Sequence, residues 1–369
     1  VYVARLARHL EELAREDRRR IVRATAPTAR HDFSSNDYLG LARDPRVVAA
    51  LASASRAGAT GARLLSGAAP EHRALETELA RALGREAALL FGSGYLAAAG
   101  TVAALAPFFA CVYSDAQNHA CLIDGIRLGR TPKRVVPHRD FSALADDSRP
   151  KLVVTESLFG MDGDRADVGE LLAMLGPDDA LLVDEAHALG IDGPHGAGAC
   201  APFDDPRVIV IGTLSKSFAA AGGFVAGPAV TIDFLANTAR TFVFDTAPPP
   251  ALAAAALEAV RIAFADEARR SRVRAHAQRL ARDLTDLGFA RPDGEPSHVV
   301  SIVFGDAGAA LAVQARLAER DVLAPAIRPP TVARGTSRIR IGLTAAHDDA
   351  DIDALVAALA RCRPLARTS

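Results

Sequence analysis

Lysine is nearly missing from this 369-residue chain. Of its 43 basic side chains only Lys133, Lys151 and Lys216 are lysines, and the rest are arginine. A guanidinium stays protonated and delocalised and does no amine chemistry. A reactive amine must therefore come from one of three side chains or from the N-terminus. An excess of either charge is missing too: 44 acidic groups face 43 basic ones, for a net charge of −1. That leaves no global field to gather nucleic acid or anionic lipid, so any anion site has to be local. The four cysteines, Cys111, Cys121, Cys200 and Cys362, form no CxxC pair and no metal-ligand spacing, as expected of reduced thiols in a cytoplasmic protein with no metal centre. Long hydrophobic runs are absent as well. Residues 87–114 carry no charge, but Gly92, Ser93, Gly94, Gly100 and Pro107 divide them into short pieces. These read as buried strand, loop and helix, not as a membrane span. Residues 1–20 carry charges throughout and read as an amphipathic helix rather than a signal peptide.

What is present is an alternation of short apolar runs with helical patterns, at 50% hydrophobic and 24% charged residues. Strands are expected at 87–91, 111–114, 134–137, 152–156, 180–183, 208–211 and 223–226. Continuous apolar runs suit strands covered on both faces, and helices such as 167–175 between them imply parallel crossovers. The expected fold is α/β with a mainly parallel central sheet flanked by helices. Ala-Pro-Pro-Pro at 247–250 interrupts it, and a long Ala/Arg-rich helical stretch then runs to about Leu287. Strands near 299–304 and 338–341 and helices at 309–320 and from 350 follow. The expected domains are an N-terminal helical arm (1–45), a large α/β domain (46–246) and a smaller C-terminal α+β domain (247–369).

In open α/β sheets ligands collect at the carboxyl ends of strands. Strand 87–91 leads into Gly92-Ser-Gly94 and a helix, which aims backbone N–H groups at an anion. Gly92-x-Gly94-x-x-Ala97, with Asp115 at the next strand end, also fits a loose dinucleotide fingerprint. A nicotinamide dehydrogenase is therefore an open alternative. Strand 180–183 ends in Asp184-Glu-Ala-His187, and strand 208–211 in Gly212-Thr-Leu-Ser-Lys216. Asp184 ending an apolar run needs a cationic partner or a capping role. Lys133 and Lys151 precede strands next to Pro132 and Pro150 and read as solvated. Lys216 follows a buried strand among hydroxyls and an uncharged glycine-rich segment, where desolvation favours the free amine that attacks carbonyls. A phosphate cradle, a carboxylate for a ring nitrogen, a lysine for an aldehyde and a donor for a ring oxygen describe pyridoxal 5′-phosphate better than a dinucleotide.

These residues resemble the fold-type I pyridoxal phosphate enzymes and, within them, the α-oxoamine synthases. Asn36-Asp-Tyr-Leu-Gly-Leu41, Gly61-Ala-Arg-Leu-Leu-Ser-Gly67, Asn118-His119-Ala, Thr155-Glu156, Met161-Asp-Gly-Asp164, Arg328-Pro-Pro-Thr and Gly335-Thr-Ser-Arg-Ile-Arg340 extend the match over about residues 33–347. The resemblance implies that Lys216 forms a Schiff base with the cofactor and later removes the substrate's Cα proton. It implies that Asp184 keeps the pyridine nitrogen protonated, that His187 meets the 3′-oxygen and that His119 stacks on the ring. Ser93, Gly94 and Tyr95 would lie at the phosphate and ring, with Thr213 on the phosphate, Glu156 would orient the pocket, and Asn36 and Arg340 would meet the amino acid, Arg340 at its carboxylate. The runs 327–332 and 343–347 are most similar to the 8-amino-7-oxononanoate synthases of biotin synthesis. The reaction so implied joins L-alanine to pimeloyl-CoA or a carrier-protein thioester, in a homodimer with a shared site. Another α-oxoamine synthase, using glycine or serine and a different acyl-CoA, is the alternative, and an aminotransferase would share Lys216 and Asp184. The sequence departs from the family pattern at Cys121 and Ala62, where serine is usual, at Gly160, where Ser or Thr is common, and at Arg139.

Overall fold

A computed structural model describes residues 1–22, 28–290 and 294–362. The apolar runs become seven strands of one sheet: β1 (Ala87–Phe91), β2 (Cys111–Asp115), β3 (Lys133–Val136), β4 (Lys151–Glu156), β5 (Ala180–Asp184), β6 (Val208–Thr213) and β7 (Gly223–Gly227). Their spatial order is β1-β7-β6-β5-β4-β2-β3, with β7 alone antiparallel to its neighbours. Strands β2, β4, β5 and β6 are buried along their whole length, which is why they read as continuous apolar runs rather than alternating ones. Several strands run one or two residues past their expected ends, because ladder pairing carries Asp115, Asp184 and Thr213 into the sheet.

The chain forms two compact units, residues 37–159 with 165–271, and residues 1–36 with 160–164 and 272–369. The seven-stranded sheet belongs to the first. Its core brings Leu89, Val112, Leu152, Leu182, Ile209 and Val225 of the strands against Ala98 and Val102 of the Gly94–Leu105 helix and Leu122 and Ile126 of the Ala120–Gly129 helix. The second unit holds an antiparallel sheet of β8 (Val299–Gly305), β9 (Ala326–Ile327) and β10 (Ser337–Gly342), with β10 in the middle. Phe304, Ile339 and Ile341 pack there with Val313, Leu317, Ile352 and Leu355 of two helices.

The single helical stretch expected after residue 250 is two helices, Pro250–Ala265 and Glu267–Asp286. Asp266 leaves helical geometry at ψ 83° and its carboxylate accepts the Arg269 N–H at 3.0 Å, ending one helix and capping the next. Among the described residues no helix is long and apolar enough to cross a membrane.

Candidate active site

The winding of the sheet reverses at β2, which has β3 on one side and β4 on the other. Such a reversal opens a crevice beyond the carboxyl ends of the strands. A cavity of about 220 Å³ is lined there by residues that end or follow β1, β2, β4, β5 and β6.

Its anion-binding part is built by the turn after β1. Ser93 caps the Gly94–Leu105 helix, its Oγ accepting the Leu96 N–H at 3.1 Å. The first N–H groups of a helix have no intrahelical acceptor and carry the positive end of its dipole. Thr213 and Ser215 stand beside them with their hydroxyl oxygens 2.8 Å apart. The approach is close enough that a Cβ on Gly94 would lie 3.0 Å from Thr213 Cβ. Backbone N–H groups and two hydroxyls thus converge on one spot, a cradle suited to phosphate.

The other polar lining residues are titratable. Asp184 ends β5 at 6% exposure, and its Oδ1 accepts the Ala186 N–H at 2.8 Å. His187 Nδ1 lies 2.7 Å from the Tyr38 hydroxyl, both side chains buried. His119 caps the Ala120–Gly129 helix, and its backbone N–H donates to Glu156 Oε1 at 2.7 Å. Burial holds the His119 imidazole below the usual histidine range, while Asp184 pulls it up and the Lys216 ammonium pushes it down. The acid, the imidazole and the amine therefore share one electrostatic neighbourhood. Lys216 is half-buried. Tyr95 lines the same cavity, but its phenol bonds Asp124, which raises the phenol's pKa.

The sequence model of the aminotransferase class I and II family matches residues 30–359. The chain belongs to that family. It is 46% identical over 341 residues to the 8-amino-7-oxononanoate synthase of Halorhodospira halophila, covering 89% of this chain and 84% of that one. It is likewise 46% identical over 346 residues to that of Anaeromyxobacter dehalogenans, covering 90% and 86%. A solved serine palmitoyltransferase from S. paucimobilis with a bound PLP–myriocin aldimine superposes with a TM-score of 0.88 at 26% identity, over 97% of this chain and 96% of that one. Within the family the chain is an α-oxoamine synthase, an enzyme of acyltransferase type on the fold-type I scaffold.

In this α-oxoamine synthase the cavity gathers Ser93, Gly94, Tyr95, His119, Glu156, Asp184, His187, Thr213 and Lys216, all singled out from sequence. Asn36 and Arg340 lie in the other unit. There Arg340, buried on β10, donates from Nη1 to Asn36 Oδ1 at 3.1 Å and from Nε to the Gly160 carbonyl at 2.7 Å. Gly160, which lacks the family's hydroxyl, contributes that carbonyl.

Two readings need correction. Lys151 is not solvated: at 5% exposure it pairs with Asp179 at 3.0 Å and donates to the Asp147 carbonyl at 2.7 Å, because it opens a strand in the middle of the sheet. Asp115 does not serve as a ribose ligand. Buried, it accepts the Gln117 and Arg139 N–H groups at 2.7 Å each and pairs with His138 at 2.9 Å, so its oxygens hold the loop after β3.

Sequence reasoning missed three supporting residues. Tyr38 sits inside the Asn36–Leu41 motif and Ser215 inside Gly212–Lys216, so the motifs carried the signal without a role. Glu185 is fully buried, accepting the Ser157 hydroxyl and Cys200 N–H at 2.7 Å and the Ala199 N–H at 3.1 Å. Burial pushes its carboxyl pKa up despite those donors.

Proposed function

We propose that this enzyme uses pyridoxal phosphate to condense L-alanine with a pimeloyl thioester of CoA or a carrier protein, giving 8-amino-7-oxononanoate, CO2 and free thiol for biotin synthesis. The observation that carries the reading is one cavity shared by Lys216, the buried Asp184 and the N-terminus of the Gly94–Leu105 helix. The fit rests on the cradle of N–H groups and hydroxyls and on the acid–imidazole–amine set that line the same cavity. The chain's 46% identity to the oxononanoate synthases, against 26% to the palmitoyltransferase, favours alanine and a pimeloyl chain over serine and a long acyl chain.

When bound, the cofactor supplies an aldehyde that condenses with amines and a ring that draws electron density from the adjoining carbon. Ser93, Gly94 and Tyr95 would lie at its phosphate and ring, with Thr213 on the phosphate. Asp184 would keep a proton on the ring nitrogen. His187 would donate to the ring oxygen, and His119, anchored by Glu156, would lie against the ring. Lys216 would hold the cofactor's aldehyde until the amine of alanine takes its place, and its Nζ, then free, would take the Cα proton. The guanidinium of Arg340, with Asn36, meets the alanine carboxylate, for which its planar fork is suited. The deprotonated carbon would form the new bond to the thioester carbonyl, the thiolate would leave and take a proton from solvent, the carboxylate would depart as CO2, and the carbon it leaves would recover the proton held on Lys216 Nζ. The working form in this reading is a cytoplasmic homodimer that completes the site between subunits.

The test has two stages. Borohydride reduction of the pyridoxal phosphate-loaded protein should trap the cofactor on Lys216, located by peptide mass. Thiol release should then be measured with L-alanine, glycine and L-serine, each against pimeloyl, acetyl and succinyl thioesters. Alanine with the pimeloyl thioester is the expected pair; activity confined to glycine with acetyl-CoA overturns the assignment in favour of another α-oxoamine synthase.

A further inference from the structure

The family pattern places serine where this chain has Cys121, and the thiol lies in the cavity beside the imidazole. Cys121 Sγ is 2.9 Å from His119 Nδ1, and the Cys121 backbone N–H points at the same nitrogen from 3.3 Å. Cys121 is 3% exposed and lines the cavity. From this convergence we infer that Cys121 is a positioning residue: its S–H and N–H both donate to His119 Nδ1, locking the imidazole in the neutral tautomer protonated at Nε2.

The argument is one of donors and acceptors. A backbone N–H can only donate, so Nδ1 facing it must present its lone pair. An imidazole that accepts at Nδ1 and is neutral carries its proton on Nε2. The thiol can serve the same acceptor only while it is protonated. Burial, with the Asp184 and Glu156 carboxylates nearby, drives the thiol pKa well above its ordinary value. The groups acting on His119 from the other elements are Asp184 at the end of β5, Lys216 after β6, and Glu156 at the end of β4, which takes its backbone N–H. None of those hydrogen bonds occupies Nδ1. A single local turn, His119 to Cys121, therefore determines which ring nitrogen carries hydrogen. It also discourages an imidazolium, whose Nδ1–H would face two donors.

The consequence for catalysis rests on the cofactor reading above, whereas the tautomer does not. The test uses the full-length chain with 15N-labelled histidine, His119 being assigned by comparison with H119Q. Long-range 1H–15N spectra distinguish a protonated from an unprotonated ring nitrogen directly. In the wild type His119 should show unprotonated Nδ1 and protonated Nε2 as pH falls towards the histidine range. C121S, which keeps a donor, should retain that pattern. C121V, which removes the thiol donor but keeps the backbone N–H, should keep the tautomer yet shift the neutral-to-protonated ratio about three- to tenfold towards imidazolium at a given pH. A wild-type His119 protonated at Nδ1 overturns the inference without needing any variant, and so does C121V with wild-type titration. Either result leaves the cofactor assignment standing, since that depends on the adduct at Lys216.

Discussion

Gly223 offers the sharpest test of how the fold builds the anion cradle. It sits at the start of β7, paired on one side with Phe91 of β1 and on the other with Thr213 of β6. A Cβ added there would lie 2.4 Å from both N and Cα of Gly94 and 2.6 Å from the carbonyl carbon of Ser93. Non-bonded carbons settle about 3.5–4.0 Å apart, so roughly 1 Å must be found between two backbones. One of them is held in the sheet from both sides, and the other is the capped helix end. G223A should therefore destabilise the chain by about 1–3 kcal/mol, the usual cost of overpacking. Whatever relief occurs moves the Ser93–Tyr95 N–H groups, and a hydrogen bond to a charged group contributes about 1.5–3 kcal/mol. Losing one should weaken pyridoxal phosphate binding about ten- to a hundredfold. Gly227 ends the same strand, yet a Cβ there would stop 3.5 Å from the Val208 carbonyl oxygen, an ordinary contact. G227A should leave stability within about 1 kcal/mol of the wild type and cofactor affinity unchanged. Urea unfolding midpoints and visible-absorbance titrations of the three proteins decide the matter. Wild-type midpoint and affinity in G223A, or equal losses in G227A, would refute the reasoning.

Three further outcomes are expected. K216A should keep its fold by circular dichroism but lose both the borohydride-trapped adduct and thiol release; an adduct surviving on another side chain would move the catalytic amine elsewhere. D179N strands the buried Lys151 ammonium and should cost about 3–5 kcal/mol in urea unfolding, whereas K133A on exposed β3 should change stability by no more than about 0.5 kcal/mol. Burial lowers the His347 pKa, and its ring accepts the Thr344 N–H at Nδ1 and donates from Nε2 to the Asp32 carbonyl. The unfolded chain then binds a proton that the folded chain resists, so unfolding free energy should fall as pH drops below about 6.5. H347Q should flatten that slope, and an unchanged pH profile would speak against it.

The site was legible where chemistry stands at a strand end. An apolar run closing in Asp184, and another closing in Thr213 and Lys216, announce a cavity because the polar group appears where burial stops. A lysine in a chain with almost none narrowed the amine to three candidates. Choosing among them by neighbouring prolines failed for Lys151, whose partner Asp179 lies 28 residues on and reaches it only through sheet pairing. The break at Asp266 was readable in principle, since aspartate is a strong helix cap, but the surrounding Ala/Arg pattern masked it.

The sequence by itself determined the alternation of buried strands and helices, the capped glycine turn after β1 and the family to which the chain belongs, all properties of short windows or of their order. Tertiary structure decided which polar groups meet: Tyr38 with His187 across 149 residues, Arg340 with Asn36 across 304, and Asp115 with the loop after β3 rather than with a ligand. The physical reason is that hydrophobic periodicity sets which face of an element is buried. The partner of a buried donor or acceptor is set instead by strand order and register, which no local window contains.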